Sequence, residues 1–191
     1  MEKEGIVNKL LPADILLVSE KGLKHSINRT FGRSRWHHVM LCIGKGKVLE
    51  ATPRKGCHIS KLDLTKDCYI AYKALRHRKL SDAEKKKIAE TAVKIFLGKK
   101  FNWQHLLKVF FRRQLSIVGN NGKARKPGYR CNVNSIICSN LVAMNYHMAG
   151  CSISDRWAPE YVMPRDYDKS KEFAIVFEKI IKREVIKNNE K

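Results

Sequence analysis

No two of the six cysteines stand as a CxxC pair; Cys42, Cys57, Cys68, Cys131, Cys138 and Cys151 are 15, 11, 63, 7 and 13 residues apart. That spacing argues against a structural zinc site and a thioredoxin-like motif. No apolar run approaches the roughly 20 residues needed to cross a bilayer, and no leader combines a basic start, an apolar stretch and a small-residue cleavage site. The expectation is a soluble, cytoplasmic chain whose cysteines are mostly small core residues in a reducing compartment. Internal repeats and linker-like segments are also missing, so 191 residues at 43% hydrophobic content predict one domain, 1–191, with a core over about 10–183.

Negative charge is scarce: 18 Asp and Glu stand against 39 Lys and Arg, a formal charge of +21. The excess is concentrated in residues 76–130, which hold 16 basic and 3 acidic side chains. A field of that sign attracts anionic headgroups, nucleic acid or acidic polymers without choosing among them.

What the chain does contain is alternating, β-rich sequence in its first half. "LLPADILLVSE" predicts a strand over 14–18, and "KGLKHSINRTFGRSR" (21–35) a polar loop. "HHVMLCIG" and "KVLEA" predict a hairpin turning at Gly44 to Gly46, with "GCHISKLD" and "CYIAYKAL" as further strands. At residue 81 the period changes. Ser81 and Glu84 form a capping-box signature ahead of a helix ending at Gly98, with Ala89, Ala92, Val93 and Phe96 on one face. "FNWQHLLKVFFRRQL" predicts a second helix burying Trp103, Leu106, Leu107 and Phe110, followed by a basic loop over 119–130. "NSIICSNLVAMNYHMAG" predicts a third, capped by Asn134 or Ser135, with Cys138 in its first turn. "APEYVMPRDY" reads as a connection, "FAIVFEKIIKREVI" is left open between strand and helix, and "KNNEK" is expected to fray.

A cysteine at a helix start has electrostatic meaning, because the unpaired N–H groups and the dipole stabilise a thiolate. A thiolate nucleophile needs an imidazole to exchange protons with and a polar group to orient that imidazole. His38 and Glu50, twelve residues apart around the Gly44 to Gly46 turn, become neighbours across a hairpin, on one face if the register is even. His37 points to the other face. On these residues alone, the plainer reading of core and turn residues ranks ahead of catalysis.

The blocks "PADILLV", "HHVMLCIGKGKVLEA", "GKKFNWQHLL", "ICSNLVAMNYHMAG" and "MPRDY", in that order, resemble the successive motifs of the circularly permuted branch of the NlpC-type papain-like superfamily. That branch includes YiiX-like proteins, poxviral relatives and the lecithin:retinol acyltransferase group. The resemblance covers roughly residues 10–170, and histidine before cysteine is the permuted order. It implies an α+β fold, an antiparallel sheet packed against helices, with Cys138 as nucleophile, His38 as base and Glu50 as third polar residue. Two positions depart from the pattern: His37 replaces a small residue, and "SII" replaces an aromatic before the cysteine, leaving only the Cys138 N–H as an expected oxyanion donor.

The activity implied is cysteine-dependent hydrolysis of an amide or ester bond through a thioester, in a peptide, peptidoglycan-like or lipid substrate, with no metal or organic cofactor required. The alternatives are a lipid acyltransferase or phospholipase-like enzyme at anionic membranes, and a non-catalytic basic module. His58 beside Cys57 is expected to be a strand residue, and His105 and His147 to be packed or exposed. For the basic segment 99–130, with Phe110, Phe111 and Leu115 among Lys108, Arg112 and Arg113, the ranking is solvated surface, then anionic membrane, then nucleic acid. The oligomeric state is not legible.

Overall fold

The computed structural model describes residues 5, 7–20, 34–64, 68–118 and 135–181. Residues 21–33 of the predicted 21–35 loop, the predicted loop over 119–130, and the C-terminal residues after 181 lie outside them. Strands β1 (Ile15–Glu20), β2 (His38–Gly44), β3 (Lys47–Thr52), β4 (Gly56–Lys61), β5 (Tyr69–His77) and β8 (Phe173–Ile180) form one antiparallel sheet in the order β4-β3-β2-β1-β5-β8. A two-stranded parallel pair, β6 (Lys100–Phe101) and β7 (Ser135–Ile136), stands apart from it. The helices are α1 (Asp82–Phe96), α2 (Trp103–Val118), α3 (Cys138–Met148) and the short α4 (Pro164–Lys169). The expected α+β class, an antiparallel sheet packed against helices, is what the chain forms.

Alternation along the strands sorts the core into two layers, as period-2 geometry requires. Ile15, Leu17, Val39, Leu41, Leu49 and Ala51 pack toward α1 and α3, where Ile88, Ala92, Leu141 and Val142 are buried with them. Leu16, Val18, Met40, Cys42 and Val48 fill the opposite face with Tyr72 and Leu62. Asp14, fully buried, is paired rather than stranded: Arg76 donates Nε–H to its Oδ1 at 2.8 Å and Nη2–H to its Oδ2 at 2.7 Å. Lys73 ties three elements together, donating to Asp168 of α4 at 2.7 Å and lying 2.9 Å from Glu178 of β8.

The capping box forms as expected, Ser81 and Glu84 exchanging hydrogen bonds at the start of α1. Two expectations need correction, and one open reading is settled. α3 begins at Cys138 rather than at a cap on Asn134 or Ser135; the backbone of 135–136 is taken by β7, and Asn140 Oδ1 accepts the Ile137 N–H at 2.7 Å instead. The 158–167 connection holds a 3-10 turn, Pro159–Tyr161, and the start of α4. The ambiguous C-terminal segment is a strand, because β5 offers it an unpaired edge.

The phase of α2 also differs from expectation. Trp103 and Leu107 are 56% and 55% exposed. The inward face carries Val109 and Arg113, with His105, Leu106 and Phe110 half-buried. Polar contacts set that phase: the Asn102 side chain caps the helix through the His105 N–H at 2.8 Å, and His105 Nε2 bonds the Glu160 carbonyl at 2.9 Å. Arg113 is buried against Asp166 at 2.8 Å, with its guanidinium 4.0 Å from the Trp157 ring.

Gly56 joins the sheet to the smaller β pair. Its φ is +66°, and an added Cβ would sit 2.4 Å from the Lys99 carbonyl oxygen, which accepts the Cys57 N–H at 2.8 Å. Gly98 also has positive φ, +78°, but open space around it. Gly98→Ala is therefore expected to cost about 1 kcal/mol and Gly56→Ala about 3 kcal/mol. Denaturant titration of both variants checks this, and equal losses would show that the close approach at Gly56 is not a constraint.

Candidate active site

Cys138 is the first residue of α3, placed by β7 immediately before it. β7 pairs with β6 through Lys100↔Ser135 and Phe101↔Ile136, and the Asn102 N–H adds a bond to the Ile136 carbonyl at 3.0 Å. β6 follows the segment 98–99, which is bonded to Cys57 of β4: the Gly98 N–H donates to the Cys57 carbonyl at 2.9 Å. The thiol is thus positioned from the edge strand of the large sheet. At the far end of the same helix start, the buried Tyr167 hydroxyl donates to the Ser139 carbonyl.

His38 opens β2 and Glu50 lies late in β3. The pairing Leu41↔Leu49 and Cys42↔Val48 shifts by one residue to Gly44↔Lys47 at the turn. A one-residue slip in an antiparallel ladder moves a whole strand's side chains to the other face. The register established beyond the bulge puts His38 and Glu50 on one face as diagonal neighbours, and Glu50 Oε2 meets His38 Nε2 at 2.9 Å. With Nε2 committed to Glu50, Nδ1 is the nitrogen left for the thiol, with which His38 shares a hydrogen bond. The three residues singled out from the sequence are therefore joined in one hydrogen-bonded series. His37 faces the other way, 9% exposed, its Nε2 accepting the Glu20 N–H at 2.9 Å.

The ladder between β2 and β3 begins at Leu41↔Leu49; upstream of it, the Val39 N–H is directed to the Cys138 sulfur, as is the Ser139 N–H. Burial alone disfavours the charged form of both Cys138 and His38. Each one's charge on the other, and the hydrogen bond between them, outweigh that: the thiol is held below its ordinary value and the imidazole is raised to about 10. The arrangement favours a thiolate beside an imidazolium. Burial would likewise raise the Glu50 carboxyl, but the His38 hydrogen bond and charge, then the Ser60 hydroxyl and the His58 charge, bring it down to about 2. By contrast, burial pushes the Cys57 thiol up to about 12 and Cys42 higher still.

Two groups around Glu50 went unrecognised in the sequence. Ser60 Oγ donates to Glu50 Oε1 at 2.5 Å, and His58 Nε2 lies 3.5 Å from the same oxygen while its Nδ1 bonds the Gly56 carbonyl at 3.1 Å. The signal was the short turn between β3 and β4, whose register sets Glu50 directly opposite His58. His58 is a strand residue, as expected; His105 is half-buried in α2 and His147 exposed in α3.

No protein-family model matches the chain, and no curated protein matches it. Among solved structures, it is similar to the crystal structure described as the metalloprotein YiiX from Escherichia coli O157:H7. The TM-score is 0.63 at 14% sequence identity, over 90% of this chain and 99% of that one. The likeness is one of fold.

The geometry generates a chemical expectation. With iodoacetamide at about pH 6, where an ordinary thiol is protonated, Cys138 reacts about tenfold or more faster than the other five cysteines, and His38→Ala removes the preference. Glu50, its carboxyl held down to about 2, stays ionised at that pH. Peptide mapping of the alkylated sites is the measurement, and equal labelling of all six cysteines would contradict the ion pair.

Proposed function

We propose that the protein is a thiol hydrolase of the permuted papain type, acting on an amide or ester bond through Cys138, His38 and Glu50. The observation that carries the reading is the hydrogen-bonded series from Cys138 to His38 to Glu50, with the sulfur at a helix start. The order of the three in the chain and the fold likeness to YiiX support it.

In this mechanism the Cys138 thiolate attacks the substrate carbonyl, forming the C–S bond. The developing oxyanion faces the free N–H of Cys138 at the helix start. Collapse breaks the C–N or C–O bond, and the leaving group takes the proton held on His38 Nδ1. Water then attacks the thioester, giving its proton to His38; the C–S bond breaks, the acid is released and the thiolate is restored. Glu50 holds the Nε2–H throughout, which keeps Nδ1 turned to the sulfur. Ser60 in turn holds Glu50 by its other oxygen.

YiiX is described as a metalloprotein. Among the described residues of this chain, no group of three or more His, Cys, Asp or Glu side chains is arranged to hold a metal ion. The described donor set does not fit such a centre.

The test is a panel of activated acyl esters and acyl-peptide amides, read by intact-protein mass spectrometry for a thioester on Cys138. Cys138→Ala is expected to abolish the adduct, and Glu50→Gln to lower kcat about a hundredfold with KM little changed. Absence of an adduct across both ester and amide substrates, with Cys138 unmodified and the protein folded, would overturn the reading.

A further inference from the structure

α2 presents two rows of side chains to solvent. One is Trp103, Leu107 and Phe111, four residues apart and 56%, 55% and 60% exposed. Beside it runs Gln104, Lys108 and Arg112, also exposed. A folded chain normally turns such an apolar row inward, because each large side chain left in water forfeits roughly 1.5–3 kcal/mol of burial. Here the inward positions are taken by Val109 and the buried Arg113, so the apolar row has no core to enter. Its aromatic ends are buttressed rather than loose: Trp103 packs edge-on against Phe101 with centroids 5.3 Å apart, and Phe111 against Phe110 at 5.7 Å.

The stretch of sequence that contains this row carries charge of one sign. Between Glu90 and Asp155 the chain contains no Asp or Glu, and over the same stretch it carries ten Lys and Arg. Arg112 lies against Tyr161, its guanidinium 4.7 Å from the ring and its Nη1 donating to the hydroxyl at 3.1 Å. An apolar row flanked by a basic row on one helix, in acid-free sequence, has the composition of an interfacial helix lying in the plane of an anionic bilayer. A nucleic acid would use the basic row and the two aromatic faces, but the aliphatic Leu107 at the centre offers it nothing to stack on or bond to.

We propose that the exposed face of α2 docks on an anionic phospholipid surface, with Trp103, Leu107 and Phe111 entering the headgroup and acyl boundary and Lys108 and Arg112 meeting the headgroups. The face differs from the one expected from sequence, in which Phe110 and Leu115 took part. Phe110 is half-buried, and the side chain of Leu115 lies outside the described residues. The docking does not depend on the chemistry of Cys138.

The experiment is co-sedimentation of the full chain with vesicles of phosphatidylcholine alone and with about one third phosphatidylserine, at low and high salt. Binding to the anionic vesicles at low salt is expected, with a blue shift of tryptophan emission that is lost in Trp103→Phe. Leu107→Glu and Phe111→Glu each weaken binding about tenfold or more. Because both positions are exposed, their thermal unfolding stays at the wild-type temperature. Cys138→Ala binds like wild type, which separates this surface from the catalytic reading. No binding to anionic vesicles at low salt would overturn the proposal. So would binding that both Glu variants retain, or retention of single-stranded RNA but not of vesicles.

Discussion

The one-residue shift in the β2–β3 ladder is the constraint on which the site depends. At the turn, Gly44 stands opposite Lys47; two residues on, Cys42 stands opposite Val48. Had the turn register continued, Glu50 would project among the residues that pack on α1 and α3, and His38 would lose it as a partner. The bulge costs one unpaired residue and returns a carboxylate to the histidine's face. The tip conformations suit it, with positive φ at Gly44, Lys45 and Gly46.

The edge strand β4 supports both ends of the site. On its side-chain register it supplies Ser60 and His58 to Glu50; through its backbone at Cys57 it holds residues 98–99, then β6, then β7, and so Cys138. An edge strand is normally a liability that the fold has to cover. Here its outer hydrogen bonds near Gly56 are spent on placing the cysteine. The burial of a thiolate and an imidazolium side by side requires such support, since removing one member of a buried ion pair costs about 3–5 kcal/mol. The Val39 and Ser139 N–H groups, and the Glu50 carboxylate beyond the imidazole, offset the desolvation of both charges.

What was legible in the sequence follows the range of the forces involved. The hairpin, the capping box at Ser81 and the nearness of His38 to Glu50 are set by residues within a dozen positions of one another, and turn chemistry and period suffice to read them. The phase of α2 was not legible, because apolar periodicity selects Trp103 and Leu107 for the core, whereas distant polar groups, Glu160 and Asp166, draw His105 and Arg113 inward. The start of α3 was misplaced for a similar reason. Asn134 and Ser135 are good caps locally, but β6, some 35 residues earlier, takes the backbone of Ser135 and Ile136 into a strand. β8 stayed ambiguous until β5 supplied the edge against which it pairs. Ser60 and His58 lay in reach of the same register reasoning that found Glu50, applied one hairpin further on.

The same short pair of strands also relates the nucleophile to the exposed face of α2. Phe101 pairs with Ile136, two residues before Cys138, and Trp103 follows two residues after Phe101, its ring packed on that of Phe101. Neither residue has a free hinge between it and the pair: Asn102 bonds Ile136 through its N–H and caps α2 through its side chain. The start of the apolar row and the start of α3 are therefore coupled through three consecutive residues, and a surface that holds Trp103 fixes the approach to Cys138 as well. On the two proposed readings together, docking would set the orientation of the thiol relative to the surface without any change of shape in the protein. The coupling is positional, so it adds no requirement that the acyl substrate come from that surface.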